Sequence, residues 1–110
     1  MQIKIEQPTK DKAILHPIGR MDVESSPIVR QTILDMVEKS IGTIVVDLSQ
    51  VEFMDSSGLS ALVSGMKALR RIDGRLNICN ANAQIRTALR LTMLDRVLPV
   101  YDNLDNALNS

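Results

Sequence analysis

Four consecutive residues, Asp55-Ser56-Ser57-Gly58, place a carboxylate, two hydroxyls and a residue without a side chain where an apolar strand pattern gives way to a helical one. Such a set suits two jobs. In the first, Ser57 or Ser56 caps the helix and Gly58 permits a tight entry of the chain. In the second, one hydroxyl is a phosphoryl acceptor, because a helix N-terminus offers amide donors and partial positive charge to an anion. A phosphate there adds about −1.5 to −2 of charge. The spacing does not separate Ser57 from Ser56.

Other chemistries have little to build on. His16 is the only histidine and lies in a strand pattern, which suits an ordinary strand side chain. A serine hydrolase needs a base beside its nucleophile, so that reading requires His16 within reach of Ser57. The Gly-x-Ser-x-Gly elbow is absent. One histidine and the single cysteine, Cys79, give no zinc spacing, and Asp22, Asp47 and Asp55 give no calcium-loop spacing. Asp22 and Asp55 read as a turn residue and a cap residue before they read as an acid/base pair. No Gly-rich loop ends in Gly-Lys-Ser or Gly-Lys-Thr. The expectation is a protein that is not an enzyme and holds no metal or cofactor.

Composition narrows the partners. Thirteen basic residues balance thirteen acidic ones without a basic stripe, and only Phe53 and Tyr101 are aromatic, so nucleic acid is not expected. No stretch approaches the roughly 20 apolar residues of a membrane span, and the first residues lack the pattern of a secretory signal. Cys79 sits in an apolar strand pattern and reads as a buried structural thiol. A cytoplasmic, soluble domain is expected.

The elements that must position the serines follow from periodicity. Residues 3–6 alternate as a half-buried strand, and Ala13 to Ile18 form its hairpin partner, with Pro17 at an edge, bulge or strand end. Gly19-Arg20-Met21-Asp22 then leaves the sheet. Ser25 or Ser26 caps a first helix, with Pro27 suited to the first helical position; Val29, Ile33, Met36 and Val37 form one face, and Gly42 ends it. Ile44-Val45-Val46 is a strand covered on both faces. A second helix runs from about Ser57 to Ile72, with Leu59, Leu62, Val63, Met66 and Leu69 as its core face. Leu76 to Cys79 form the next strand. Asn80 or Asn82 caps a helix carrying Ile85, Leu89 and Met93. A last strand spans Val97 to Tyr101, and Asp102 caps a final short helix. The order β-β-α-β-α-β-α-β-α implies mostly parallel pairing with helical cover.

Two stripes run along the second helix. Gly58, Ala61, Gly65 and Ala68 form a line of small residues, and Ser57, Ser60, Ser64, Lys67 and Arg71 form a polar one. The small stripe suits close packing within the domain or a low-relief surface for a partner helix, and the spacing leaves both open.

The sequence resembles the bacterial anti-sigma-factor antagonists of the STAS (sulphate transporter and anti-sigma antagonist) family. The likeness covers nearly the whole chain. It is most specific in Ile44-Val45-Val46-Asp47-Leu48 and in Val51-x-Phe53-Met54-Asp55-Ser56-Ser57-Gly58-Leu59. Gly19-Arg20-Met21-Asp22 resembles the family's Gly-x-Leu-Asp turn, and Arg86 to Val97 its late helix and connection.

The resemblance implies an α/β fold over residues 1–110: one mixed sheet of four to five strands, with about four helices packed mainly on one face. It implies phosphorylation of the second serine, Ser57, by an anti-sigma-factor serine kinase in its ATP-bound form, and reversal by a PP2C-type phosphatase. Unphosphorylated, such a protein binds the kinase and frees the sigma factor. Asp22, Asp55 and Gly58 would surround the phosphosite. Arg20, Met21, Ser60, Ala61, Ser64 and Lys67 would meet the partner. Arg20 and Met21 depart from the often acidic residue and leucine of the family's turn, and Thr92-Met93-Leu94 lacks a glycine common in the late connection. The alternative role in this family is a regulatory subunit of a membrane transporter or of a stress-signalling assembly.

Overall fold

A computed structural model describes residues 1–110. Its six strands are β1 (Gln2–Glu6), β2 (Lys12–Met21), β3 (Thr43–Asp47), β4 (Val51–Met54), β5 (Arg75–Cys79) and β6 (Val100–Tyr101). The helices are α1 (Ser26–Glu38), α2 (Ser56–Arg70), α3 (Ala83–Leu91) and α4 (Leu104–Leu108). The sheet order is β1-β2-β3-β5-β6, with β4 also paired to β2. Only the β1–β2 hairpin is antiparallel.

The strand count exceeds the expected four to five because β2 is longer than its sequence suggests. Its first half pairs with β3, from Lys12↔Thr43 to Leu15↔Val46. Its far end pairs with β4, from Gly19↔Val51 to Met21↔Met54, with a register shift between Gly19 and Arg20. Gly19–Met21 therefore stay in the sheet rather than leave it. Pro17 falls between the two pairings, where its missing N–H disrupts no ladder with β3 or β4. Gly19 takes φ +111°, a conformation open to glycine, at the point where β2 changes partner. Side chains close the outer edge of β4. The Gln84 carboxamide accepts from Met54 N at 3.0 Å and donates to Met54 O at 2.8 Å, as a neighbouring strand would.

Alternation along the strands divides two cores. Ala13, Leu15, Ile44, Val46, Leu76 and Ile78 join the faces of α1, α2 and α3 that carry Val29, Ile33, Leu62, Leu69, Ile85 and Leu89. Each such large side chain contributes about 1.5–3 kcal/mol on burial. Val45 and Cys79 point the other way and pack with Ala107 of α4. Three helices thus cover one face and one short helix the other.

Several helix ends differ from the periodicity reading. Ser25 precedes α1 but makes no capping bond, and Pro27 is the second helical residue. The helix stops at Glu38, and the left-handed residue is Ser40 (φ 62°), ahead of Gly42. Of the two candidates for α3, Asn82 is the cap, as offered, whereas Asn103 rather than Asp102 caps α4. Met93 is left-handed and exposed, so it ends α3 rather than extending its core face. The Val97–Tyr101 strand shrinks to Val100–Tyr101.

His16 is more than an ordinary strand side chain. Its Nδ1 lies 2.9 Å from Asp47 Oδ2 and its Nε2 lies 2.8 Å from Glu6 Oε1. Asp47 Oδ1 also accepts from Ser49 N and Asn80 Nδ2, each at 3.0 Å. Burial pushes the Asp47 carboxyl up, but the bonds from Asn80, Ser49 and His16 outweigh it and hold it below the usual value. Burial, then the Asp47 charge, push the Cys79 thiol up to about 12, so it stays protonated.

A depressed carboxylate contributes stability that is present above its unfolded pKa of about 3.9 and is lost as pH falls through the folded value. Asp47→Asn should cost about 1–3 kcal/mol at pH 7. It should also remove part of the stability loss that the wild type shows below pH about 4. Urea unfolding at pH 6 and pH 3 checks both. An unchanged gap between variant and wild type at the two pH values would refute the linkage.

Candidate phosphoacceptor site

The site is built where β2, β4 and α2 meet. The chain leaves β4 at Met54, and Asp55 takes an extended conformation before α2 begins. Its Oδ1 accepts from Ser57 N at 2.8 Å and Gly58 N at 3.2 Å. The carboxylate is therefore the cap, and neither serine hydroxyl is. Ser56 and Ser57 become the first two helical residues, Ser56 exposed and Ser57 half-buried. Replacing Asp55 with Ala should cost about 1 kcal/mol by loss of the cap, read as a lower urea midpoint; an unchanged midpoint would mean that Ser56 or Ser57 takes over the cap.

The end of β2 is pinned to this entry. Met21 O accepts from Asp55 N at 3.2 Å, which brings the following residue, Asp22, to the same end of the sheet. Asp22 closes the turn into α1. Its Oδ1 accepts from Glu24 N at 3.1 Å and from Ser25 N at 3.2 Å. The Ser25 amide is the largest influence on the Asp22 carboxyl, and with Glu24, the Ser25 hydroxyl and the Arg20 charge it holds the group below the usual range against a smaller opposing effect of burial. Ser25 Oγ in turn donates to Arg20 O at 2.7 Å and accepts from Asp22 N at 2.9 Å. The buried serine that the sequence offered as a helix cap thus braces the aspartate turn.

The expected partner residues divide. Ser60 and Lys67 are exposed and Ser64 half-buried along α2. Arg20 is exposed and lies 4.3 Å from the Phe53 ring centre, across the β2–β4 pair. Met21 and Ala61 are buried, although Ala61 lines the groove between α1 and α2. Gly58, Ala61, Gly65 and Ala68 are all buried, so the small stripe packs within the domain, with Ala61 also at the floor of a surface groove. Two surface grooves flank the serines. One, of about 240 Å³, lies between α1 and α2 and is lined by Val23, Ser26, Pro27, Arg30, Ser57, Ser60 and Ala61. The other, of about 400 Å³, runs between α2 and the connection after α3, past Ser56, Ser60, Ser64 and Lys67. The periodicity reading did not single out Arg30. Its only signal was its place one residue past the core position Val29.

A Ser–His arrangement does not form around Ser57, since both ring nitrogens of His16 are engaged by Asp47 and Glu6. No helix is long and apolar enough to cross a membrane.

Comparison with known proteins agrees with this fold. The chain is 29% identical over 109 residues to an anti-sigma F factor antagonist of Paenibacillus polymyxa, covering 98% of this chain and 92% of that one. It is 29% identical over 106 residues to an anti-sigma-B factor antagonist of Staphylococcus aureus, covering 96% and 98%. The crystal structure of an anti-sigma factor antagonist from Mycobacterium paratuberculosis superposes with a TM-score of 0.87 at 29% identity, over 97% of this chain and 90% of that one. Residues 2–107 match the model of the STAS domain, and the chain belongs to that family.

Proposed function

We propose that the protein is an anti-sigma factor antagonist whose docking is switched at Ser57. The observation that carries this is the division of labour at the head of α2. Asp55 supplies the cap, so the Ser57 hydroxyl is not needed to hold the helix and stands beside an open groove. Its relatives of 29% identity, named as antagonists of anti-sigma factors, support the same reading. Unphosphorylated, the protein binds an anti-sigma factor kinase in its ATP-bound form through Arg20, Ser60, Ser64 and Lys67 and releases the sigma factor. Phosphorylation of Ser57 ends the complex, and a PP2C-type phosphatase restores it.

Incubation with the cognate kinase and ATP should add the mass of one phosphate, and Ser57→Ala should abolish the addition. If Ser57→Ala takes up phosphate as well as the wild type, with the label on Ser56, the site is wrong. If the kinase neither binds nor modifies the wild type, the function is wrong.

A further inference from the structure

Of the amides at the head of α2 that would ordinarily receive a phosphate, only Ser56 N is without a partner. Ser57 N and Gly58 N both donate to Asp55 Oδ1, and Leu59 N donates to the Asp55 carbonyl. A phosphate on Ser57 would therefore meet the Asp55 carboxylate beside a single free amide, that of Ser56, with Asp22 held charged at the same end of the sheet. Two acidic groups beside a dianion are unfavourable unless a cation offsets them.

The groove between α1 and α2 holds one. Arg30 lines it together with Ser57 and Ser60, one turn into α1. The ion pairs of the molecule are His16–Glu6, His16–Asp47 and Arg86–Asp102, so Arg30 has no carboxylate of its own. The other charged groups near this end are placed differently. Arg20 lies over Phe53, Lys67 lines the opposite groove, and Glu24 is exposed in the Asp22 turn.

We propose that Arg30 is the internal counter-ion of phosphorylated Ser57, drawing the phosphate into the α1–α2 groove. This rests on Ser57 being the phosphorylated residue. A guanidinium matches phosphate geometry with two parallel N–H donors, which an ammonium cannot do. Ser60, one turn along α2, supplies a hydroxyl donor to the same groove. The modified site is then an occupied groove with part of its charge neutralised, and α1 as well as α2 carries the phosphorylated state.

The test uses the full chain with phosphoserine incorporated at position 57 during translation, so it does not depend on any kinase. The second ionisation of the phosphate is followed by phosphorus NMR. A cation in contact should lower that pKa, ordinarily about 6, relative to the same site without the cation. Arg30→Gln should raise it by about 0.5 or more, and Arg30→Lys should restore part of the difference. Equal titration of the wild type and Arg30→Gln overturns the proposal, as does an Arg30→Lys value indistinguishable from Arg30→Gln in both pKa and salt dependence. The unmodified Arg30→Gln chain should unfold at the wild-type temperature, since this exposed residue has no ion-pair partner to lose. Failure of a kinase to modify Ser57 would defeat the proposed function and leave this titration interpretable.

Discussion

Phosphorylated at Ser57, the protein should bind its anti-sigma factor kinase roughly 30- to 150-fold more weakly than the unmodified form. The size follows from charge alone. A partner carboxylate about 6 Å from the phosphate, across a boundary with an effective dielectric near 40, interacts at about 1.4 kcal/mol per unit charge. A phosphate of about −1.5 to −2 then repels it by roughly 2–3 kcal/mol. Ser57→Asp carries about one charge and should cost nearer tenfold. Both effects should shrink as salt rises, because the interaction spans a solvent-exposed groove. Titration calorimetry at low and high salt measures the three forms directly. Equal affinities for the modified and unmodified forms would remove repulsion as the switch.

The charge account places little demand on the fold, and the local geometry explains why. Asp55 already caps α2, so adding a phosphate two residues later takes no hydrogen bond from the helix. The Asp22 turn is held by the Glu24 and Ser25 amides, independently of Ser57. Phosphorylation there would change the surface between α1 and α2 and leave the register of the sheet beneath unchanged.

Much of this was legible from residue order. The apolar runs at Ile44–Val46 and Leu76–Cys79 and the helical face from Leu59 to Leu69 predict a covered sheet, because each pattern has enough repeats to fix its period. β4 was not legible. Val51–Met54 is only four residues long and breaks its alternation at Phe53-Met54, and its partner is the end of a strand whose sequence, Pro17-Ile18-Gly19, reads as termination. Only the tertiary pairing across that interruption makes either segment a strand. The identity of the cap was hidden for a different reason. Aspartate and serine are equally good caps by type, and three candidates in a row leave the choice to the chain's direction as it leaves β4. Arg30 was invisible because a surface arginine gains meaning only from what faces it across a groove.

The inward-facing glycines of α2 give the second large effect. An alanine in a helix interior is intrinsically favoured over glycine by about 1 kcal/mol, so Gly58→Ala and Gly65→Ala would both stabilise an isolated helix. In the folded domain the neighbours decide otherwise, and differently at the two positions. A Cβ on Gly65 would lie 2.8 Å from Ile33 Cγ2 and 2.9 Å from its Cδ1, on a fully buried α1 side chain whose β-branch keeps it stiff at χ1. A small shift of α1 relieves that contact, leaving a net cost of about 1 kcal/mol. A Cβ on Gly58 would lie 2.6 Å from Met54 Cγ, 2.9 Å from Met21 Cγ and 2.8 Å from Met21 O. The methionines can rearrange, but the carbonyl is backbone and accepts from Asp55 N. Moving it separates β2 from the cap of α2. Gly58→Ala should therefore lose about 2–3 kcal/mol net, a fall of about 10 °C in Tm. It should also slow phosphorylation of Ser57, whose own amide is bonded to Asp55. A Gly58→Ala protein as stable as Gly65→Ala would show that the close approach of β2 does not hold the serine in place.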